Sequence, residues 1–212
     1  MKFIIPARKD SKGLPGKNRI LLQHTIEQIP KELEGDVIVT TDDEHIIDEL
    51  KNTNFKILNR RAELSRDDAS IRGVLENVIE HFNIPDDEEI VMLYLTYPQR
   101  TWQDVLNAVK FYRDNNANSL LCRKEIKVHP YLCMYDVDTN RGKQIVKHDM
   151  YRRQDYPSCF EISHYVCIFK TFEIKILNKN MYNDFTVFFP IEERLDVDTM
   201  KDLENFYDKS NC

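Results

Sequence analysis

Short apolar runs and segments with helical spacing alternate along the first half of the chain. The apolar runs predict buried strands at Lys2–Pro6, Asp36–Thr40, Phe55–Leu58 and Ile90–Leu95. Helical spacing predicts helices at Leu21–Ile29, Glu44–Lys51, Ala69–Phe82 and from Thr101 onward. Asp104 follows Thr101 at the spacing of a capping box. Strands that alternate with helices in this way predict a mostly parallel sheet with helices on both faces.

The alternation changes after a predicted strand at Ser119–Cys122. The elements predicted beyond it are strands at Pro130–Tyr135, Gln144–Lys147, Tyr165–Phe169 and Thr186–Phe189, a turn at Asn140-Arg141-Gly142, and a closing helix at Asp202–Tyr207 capped by Thr199. We interpret 128–160 as an insertion that serves as a dimerisation arm. With that insertion, residues 1–212 are predicted to form a single α/β domain, since one core can extend to ~250–300 residues.

The composition is that of an ordinary globular protein, with 42% hydrophobic and 31% charged residues. No run approaches the ~18 consecutive apolar residues that a membrane span needs. The apolar start of the chain is too short for a secretory signal, and Arg8 and Lys9 interrupt it. We therefore expect a cytoplasmic protein that does not use a membrane as partner.

Net charge and cysteine usage exclude further classes. The formal net charge of −6 disfavours nucleic acid as a partner, because such binding usually needs a basic face. A local cationic cluster can still bind a small anion on an acidic protein. The five cysteines are odd in number and form no Cys-x-x-Cys pair. Buried free thiols are therefore expected, rather than disulfides or a structural zinc site.

The segment 7–18 follows the first strand directly and contains two of the five glycines in the chain, Gly13 and Gly16. Glycine lets backbone amides turn toward a bound anion, and cationic side chains in the same loop supply matching charge. Those side chains are Arg8, Lys12 and Lys17. The sequence has neither a Walker ending nor a dinucleotide-binding turn. We interpret the segment as a phosphate-binding loop at the carboxyl end of a strand; the alternative is a flexible basic surface turn.

Asp196 and Asp198 stand two residues apart near the end of the chain. On a strand they would project to one face, while Leu195 and Val197 pack inward. A bound cation removes the repulsion between two such carboxylates, and Mg²⁺ prefers one or two carboxylates together with phosphate oxygens and water. The pattern therefore indicates a magnesium site. In the alternative interpretation, Asp198 and Thr199 only cap the final helix.

The first strand and its loop resemble the signature of a known family. Ile4-Ile5-Pro6-Ala7-Arg8 and Ser11-Lys12-Gly13-Leu14-Pro15-Gly16-Lys17-Asn18 are similar to the phosphate-binding segment of CMP-sialic acid synthetases, the acylneuraminate cytidylyltransferases. The resemblance implies a three-layer, Rossmann-like nucleotidyltransferase fold in which this segment wraps the triphosphate of CTP. It assigns nucleotide contacts to Ala7, Arg8, Ser11, Lys12, Gly13, Lys17 and Asn18, with Arg8 and Lys17 on the phosphates.

Further segments resemble the cytosine site of that family. Arg60-Arg61-Ala62-Glu63-Leu64 and Asp67-Asp68-Ala69-Ser70 are similar to its Arg-Pro-Ala-Glu-Leu and Asp-Thr-Ala-Ser-Ser runs. The resemblance implies that Arg60, Ala69 and Ser70 frame the base, although Ala69-Ser70 can also begin a helix, and both roles are compatible. Val37–Asp42 is similar to the family's strand ending in Ser-Thr-Asp. Here Thr41 and Asp42 are expected to cap the helix that follows.

The acceptor side departs from the family pattern. Leu93–Thr101 and Arg152–Asp155 resemble family segments, and the sugar contacts that the resemblance implies are Tyr94, Thr96, Arg153, Gln154, Ser163 and His164. Tyr94 replaces the family's glutamine, Ser163-His164 replaces an Asn-Gly step, and Cys167 replaces a tyrosine. The alternative for 152–155 is a solvated charged loop.

Together these segments imply transfer of CMP from CTP to an acidic keto-sugar, with release of pyrophosphate. The sugar is expected to be sialic-acid-like or a related nonulosonic or ulosonic acid. Magnesium held by Asp196 and Asp198 is the implied cofactor, and those two residues carry catalysis with Arg8 and Lys17. A homodimer is the expected assembly. Two alternatives stay open: a nucleotidyltransferase for a different sugar or nucleotide, and a nucleotide-binding protein without turnover.

Overall fold

The computed structural model describes residues 1–210. Its strands are β1 (Lys2–Pro6), β2 (Val37–Thr41), β3 (Lys56–Asn59), β4 (Glu89–Met92), β5 (Ser119–Lys124), β6 (Met134–Asp138), β7 (Arg141–Gln144), β8 (Glu161–Lys170) and β9 (Val187–Pro190). Its helices are α1 (Lys17–Ile26), α2 (Glu44–Leu50), α3 (Ala62–Ser65), α4 (Ile71–His81), α5 (Trp102–Asp114) and α6 (Met200–Ser210). The first four strands lie where the apolar runs predict them, apart from small differences at their ends.

Seven of the strands within residues 1–210 form one sheet, in the order β3-β2-β1-β4-β8-β5-β9. Neighbouring strands pair in parallel, except that β8 runs antiparallel to both β4 and β5. Ile5 of β1 is in register with Val39 of β2, so the carboxyl ends of these strands lie side by side. The mostly parallel sheet that the sequence predicts is confirmed.

Alternate residues of the central strands enter two separate cores. Phe3 and Ile5 of β1 pack on one face with apolar residues of α1, α2, α5 and α6, whereas Ile4 packs on the other face with α4. Successive residues of a strand point to opposite faces, so a strand covered on both faces must be apolar throughout. Helices on the two faces therefore enclose the sheet, which is the predicted three-layer arrangement.

Two helix starts follow the predicted capping pattern. Thr101 and Asp104 form a capping box at the start of α5, in which each side chain bonds the other residue's backbone N–H. The Thr199 hydroxyl accepts a hydrogen bond from the backbone N–H of Asp202 at 3.3 Å, so the predicted cap of α6 is also present. Such caps satisfy N–H groups that have no partner within the helix.

The insertion 128–160 contains a hairpin that lies outside the main sheet, because β6 and β7 pair with each other. The predicted strand starting at Pro130 is wrong in its first residues: Pro130–Leu132 form a short 3₁₀ turn. The predicted turn at 140–142 is displaced as well. The Asp138 carboxylate accepts a hydrogen bond from the backbone N–H of Asn140 at 3.1 Å, which makes the chain reverse earlier and leaves Arg141 in β7. Of the predicted strand Gln144–Lys147, only its first residue lies in β7.

A cluster of four rings connects the ends of the insertion. The rings of Tyr131 and His148 stack at 4.3 Å, and those of His129 and Tyr156 lie within 4.9 Å of each other. The Nε2 atom of His148 lies 2.8 Å from the backbone carbonyl of Tyr131, and that of His129 lies 2.9 Å from the carbonyl of Pro157. The insertion is therefore held by a small aromatic core of its own.

The cysteines are free thiols where the structure describes them. Cys122 and Cys167 are buried in the sheet, as predicted, but Cys133 and Cys159 are only half-buried, because the thin insertion has little core to cover them. Cys212 lies outside the described residues. No helix within residues 1–210 is long and apolar enough to cross a membrane.

Candidate functional site

A cavity of about 390 Å³ lies beside the carboxyl ends of β1, β3 and β4. Its wall contains residues of the predicted phosphate loop, of the connection between α3 and α4, of the 94–97 segment after β4, and both Asp196 and Asp198. In sheets of this kind ligands bind outside the carboxyl ends of the strands. The structure therefore brings sequence segments from both ends of the chain to the place where a ligand is expected.

The phosphate loop is held from below by residues at the end of β2. The Thr41 hydroxyl donates a hydrogen bond to the carbonyl of Ala7, and the Asp42 carboxylate accepts one from the backbone N–H of Lys9 at 2.8 Å. The predicted capping role of Thr41 and Asp42 is thus wrong: the side chain that caps α2 is Asp43. The sequence could not separate these roles, because any of the three side chains can accept a bond from a backbone N–H.

Steric constraints explain why both of these loop positions are glycine. Gly16 has a φ of 70°, in the left-handed region that favours glycine, and α1 begins immediately after it at Lys17. The predicted start at Leu21 was therefore too late. A Cβ added to Gly13 would lie 2.3 Å from the carbonyl oxygen of Asp198. The loop and the Asp198 segment consequently pack backbone against backbone, and a side chain at position 13 would force them apart.

Three cations of the loop, Arg8, Lys12 and Lys17, are paired with carboxylates. Arg8 Nη1 and Lys12 Nζ lie 2.8 and 2.9 Å from the two oxygens of Asp67, and these ion pairs hold the pKa of Asp67 below its ordinary value. Lys17 Nζ lies 2.6 Å from Asp198 Oδ1. Each carboxylate occupies the place beside a cation that an anionic ligand such as a phosphate would take. A polyphosphate entering this cavity would therefore exchange places with them.

Arg60 is a buried cation at the end of β3, and its side chain faces the cavity. Its guanidinium donates hydrogen bonds to the carbonyl and the hydroxyl of Thr40, at 2.8 and 3.4 Å. No carboxylate within residues 1–210 forms an ion pair with it. Burial lowers the pKa of Arg60 to about 10, so the side chain is still charged at neutral pH. Its charge is therefore available to a ligand.

The residues predicted to contact the nucleotide divide into those that line the cavity and those that do not. Those that line the cavity are Arg8, Ser11, Lys17, Asn18, Arg60 and Ala69. Asn18 also donates a hydrogen bond to the carbonyl of Arg8 at 2.8 Å, which braces the loop. Ala7, Lys12, Gly13 and Ser70 do not line it. Ser70 instead caps α4, accepting a bond from the backbone N–H of Gly73 at 3.1 Å, so the predicted helix start there is confirmed.

Asp196 and Asp198 are both exposed to the cavity, but the segment that carries them is not a strand. One backbone hydrogen bond, from the Val197 N–H to the carbonyl of Thr96 at 2.8 Å, holds it beside the 94–97 segment. Val197 is fully buried and Leu195 packs against the core. The predicted alternation of exposed and buried side chains is therefore present. The segment is not a strand, because one backbone hydrogen bond, rather than a ladder of them, joins it to its neighbour.

These two carboxylates fit the ligand set of Mg²⁺ when a phosphate is bound beside them. No group of three or more His, Cys, Asp or Glu side chains within residues 1–210 is arranged to hold a metal ion. Mg²⁺ commonly needs only one or two carboxylates, because phosphate oxygens and waters complete its shell. Asp198 lies beside the cationic loop, paired with Lys17, and Asp196 lines the same cavity, where such oxygens would be.

Tyr94, Thr96, Tyr97 and His164 line the part of the cavity where the sugar is predicted to bind. The rings of Tyr94 and His164 meet edge to face at 5.9 Å. His164 Nε2 lies 3.0 Å from the carbonyl of Asn180, and since a carbonyl can only accept, Nε2 carries the hydrogen. Nδ1 is then the ring atom left for a ligand. Tyr97 was missed in the sequence, where a buried tyrosine is not distinguishable from a core residue.

Three predicted sugar residues do not reach the cavity. Ser163 is buried behind it, where its hydroxyl accepts a bond from the backbone N–H of Tyr165 at 3.3 Å. Arg153 and Gln154 lie in an exposed 3₁₀ turn of the insertion and are not part of the cavity wall. The resemblance of short segments to the family could not show that these residues lie outside the cavity. A local motif does not determine where the insertion lies relative to the sheet.

The fold is the Rossmann-like fold of nucleotidyltransferases. A solved structure of a CMP:2-keto-3-deoxy-manno-octonic acid synthetase complexed with CTP superposes on this chain with a TM-score of 0.70. The two sequences are 18% identical, and the match covers 99% of this chain and 98% of the other. At this identity the likeness is one of fold.

The family model for cytidylyltransferases matches residues 2–209, and the chain therefore belongs to the cytidylyltransferase family. An N-acylneuraminate cytidylyltransferase of Streptococcus agalactiae serotype V is 28% identical over 212 residues, covering 94% of this chain and 51% of the relative. A protein of the same description from Escherichia coli O18:K1:H7 is 31% identical over 152 residues, covering 68% of this chain and 33% of the relative. The chain thus spans about half the length of the streptococcal relative. The resemblance drawn from the phosphate loop is confirmed.

Proposed function

We propose that the chain transfers CMP from CTP to an acidic keto-sugar and releases pyrophosphate. The observation that carries this proposal is the cavity at the ends of the parallel strands, which joins a cationic loop, two carboxylates and a buried arginine that has no ion pair within residues 1–210. The names of the Streptococcus agalactiae and Escherichia coli relatives support it, since both are described as acting on N-acylneuraminate.

In the proposed reaction, the anomeric hydroxyl oxygen of the sugar attacks the α-phosphorus of CTP in line. The new P–O bond forms while the bond to the β-phosphate oxygen breaks, and pyrophosphate leaves. Arg8 and Lys17 exchange their carboxylate partners for phosphate oxygens and stabilise the charge on the leaving group. Asp196 has no ion-pair partner within residues 1–210, so its carboxylate is the one placed to accept the hydroxyl proton.

Magnesium is the proposed cofactor. Asp196 and Asp198 would hold it, and when bound it supplies positive charge that polarises the phosphoryl oxygens. Lys17, now paired with Asp198, would be released to the phosphates by the competing cation.

Pyrophosphate release from CTP, Mg²⁺ and a panel of sugar acids tests the reaction directly. We expect release with at least one acidic keto-sugar and none without a sugar. Binding of CTP without release for any acid would favour the nucleotide-binding alternative. Release with neutral sugars or with another nucleotide would favour the broader nucleotidyltransferase alternative.

The choice of nucleotide can be tested by thermal unfolding. We expect CTP with Mg²⁺ to raise the melting temperature more than ATP, GTP or UTP do, because a ligand that binds only the folded state stabilises it. Arg60→Gln should lose most of the CTP shift, whereas Arg61→Gln, at the exposed neighbouring position, should keep it. Equal shifts for the four nucleotides would contradict the assignment of CTP.

We also propose a homodimer in which the insertion contacts the second copy. The hairpin and its neighbours expose apolar side chains that no residue within 1–210 covers, among them Val128, Met134, Val137 and Ile145. Two-fold assembly would bury the same patch on both copies. Val137→Lys should reduce the mass seen by light scattering to that of a monomer, and Ile176→Lys, at an equally exposed apolar position elsewhere, should not. A monomeric wild-type protein at micromolar concentration would contradict the proposal.

A cytoplasmic location stays a prediction.

A further inference from the structure

The segment 191–198 carries both aspartates of the cavity but lies in neither a strand nor a helix. At its start, the Ile191 N–H donates a hydrogen bond to the carbonyl of Arg123 at 2.8 Å. Near its end, the Val197 N–H donates to the carbonyl of Thr96, also at 2.8 Å. The residues between these two anchors form no further backbone hydrogen bond within the described chain. Side chains must therefore hold the middle of the segment in place.

Lys124, at the end of β5, provides such a side-chain contact. Its Nζ lies 3.2 Å from Glu193 Oε1 and 3.1 Å from Glu161 Oε1. Lys124 and Glu161 are also in register between β5 and β8, so the sheet fixes the position of the lysine. Glu193 has no such support from a strand. The lysine consequently connects a rigid part of the molecule to the middle of an irregular segment.

This ion pair is charged throughout the neutral range. Burial alone would lower the pKa of Lys124, but the hydrogen bonds to Glu161 and Glu193 outweigh burial and raise the pKa above its ordinary value. The hydrogen bond from Lys124 in turn lowers the pKa of Glu193. A largely buried ammonium group needs partners that compensate for lost water, and the two carboxylates are these partners.

The position of Lys124 links the base of the insertion to the aspartates. The chain leaves the sheet after Lys124 and re-enters it at Glu161, so these two residues flank the insertion. Only three residues separate Glu193 from Asp196, which is roughly 10 Å of extended chain. The contact with Glu193 therefore restrains Asp196 on one side, and the backbone bond of Val197 restrains it on the other.

We propose that Lys124 is a positioning residue that acts through Glu193 to hold Asp196 and Asp198 in place for magnesium. This inference rests on the proposed function, because the two aspartates are assigned to magnesium there. Lys124 does not line the cavity and contacts neither substrate. Its effect is on where the carboxylates stand.

The test compares Lys124→Met with Lys127→Met. Lys127 is the matched control, because it contacts the same Glu193 but at 3.5 Å, with a side chain 77% exposed against 18% for Lys124. We expect Lys124→Met to raise the Mg²⁺ concentration for half-maximal pyrophosphate release by about three- to tenfold, less than the roughly 10- to 100-fold typical of a group bonded directly to a metal ligand. Lys127→Met should leave it unchanged.

A merely structural role of Lys124 would give a different result. Partial unfolding would lower the amount of active enzyme, and hence kcat, without changing the Mg²⁺ requirement. At saturating Mg²⁺, kcat and the KM for CTP of Lys124→Met should stay within about twofold of wild type. Lys124→Arg keeps the charge and should need less Mg²⁺ than Lys124→Met. An unchanged Mg²⁺ requirement in Lys124→Met, or an equal rise in Lys127→Met, would overturn the proposal.

A double-mutant cycle with Glu193→Gln tests whether Lys124 acts through this carboxylate. Glu193→Gln alone should reproduce the rise in Mg²⁺ requirement, and Lys124→Met should add little to it. Fully additive effects of the two changes would show that Lys124 acts independently of Glu193, contrary to the proposal.

A readout without substrate distinguishes failure of this inference from failure of the proposed function. In the nucleotide-free protein, Lys124→Met should speed amide hydrogen exchange in 192–197 relative to Lys127→Met, because the segment has lost its side-chain anchor. Faster exchange without turnover for any sugar acid would support the anchoring by Lys124 and reject the reaction. Unchanged exchange would reject the anchoring, whatever the activity.

Discussion

The two ends of the cavity are built from different chemistry. At the end proposed for the nucleotide, three cations of the loop, Arg8, Lys12 and Lys17, are already paired with carboxylates. At the end proposed for the acceptor sugar, Tyr94 and His164 offer ring surfaces, a hydroxyl and one ring nitrogen without a hydrogen-bond partner within residues 1–210. The first end is suited to exchange one set of anions for another, and the second end to select by shape and by a few hydrogen bonds. Changes at the two ends should therefore have effects of different size and kind.

The largest effect is expected from removing charge at the nucleotide end. Arg8→Ala, Lys17→Ala and Asp198→Asn should each lower the rate of pyrophosphate release by roughly 10²-fold or more, the usual scale for lost stabilisation of transition-state charge. Thermal stability should change little for the exposed positions. Lys9→Ala serves as the control, because Lys9 is an exposed cation of the same loop whose side chain does not line the cavity. Near-normal rates for Asp198→Asn with Mg²⁺ would remove its metal role and leave only its place beside the α6 cap.

A smaller effect is expected from the choice of acid at the acceptor end. N-acetylneuraminic acid should have a kcat/KM at least about tenfold below that of the best acid among Kdo, Kdn and related keto-sugar acids. Tyr94 adds bulk where the family has an amide, and a buried polar group left without its hydrogen-bond partner costs about 1–3 kcal/mol. His164 replaces a glycine, so the backbone cannot approach the sugar as closely. If N-acetylneuraminic acid is the best substrate of the panel, this interpretation of the substitutions is wrong.

Most of the fold was predictable because it rests on repeated patterns. Apolar residues in strands such as Lys2–Pro6 fill both faces of the sheet, and that requirement is visible in the sequence. The convergence of Asp196 and Asp198 on the phosphate loop was predictable from their spacing and the family resemblance, although their segment is no strand. The reversal of the hairpin was misplaced, because one Asp138 side-chain bond decides it. A single side-chain hydrogen bond leaves no periodic pattern in the sequence.

The site was less predictable where residues far apart in the chain meet. Thr96 and Val197 are joined by one backbone hydrogen bond, which brings Asp196 to the same cavity wall as the 94–97 segment. The pairing of Asp67 with both Arg8 and Lys12 likewise depends on how the α3–α4 connection meets the loop. Neither spacing nor charge pattern contains that geometry. Interactions of this kind are set by tertiary packing.

The smallest expected effect concerns Asp67, which competes with the nucleotide for the cations of the loop. Its two oxygens hold Arg8 and Lys12 at 2.8 and 2.9 Å. Asp67→Asn removes the negative charge, so the triphosphate would no longer have to displace it. We expect the KM for CTP to fall by roughly two- to fivefold, the scale of an exposed ion pair. The difference from wild type should shrink at high salt, where exposed charges are screened.

Asp68→Asn is the matched control for this change, because Asp68 is the adjacent carboxylate and pairs with Arg66 instead of the loop. It should leave the KM for CTP unchanged. The direction of the Asp67→Asn effect decides between two roles of the same ion pairs. A lower KM shows that the ion pairs oppose binding. A higher KM would show that Asp67 holds Arg8 in place for the phosphates, and the nucleotide end would then depend on a preformed geometry rather than on an exchange of anions.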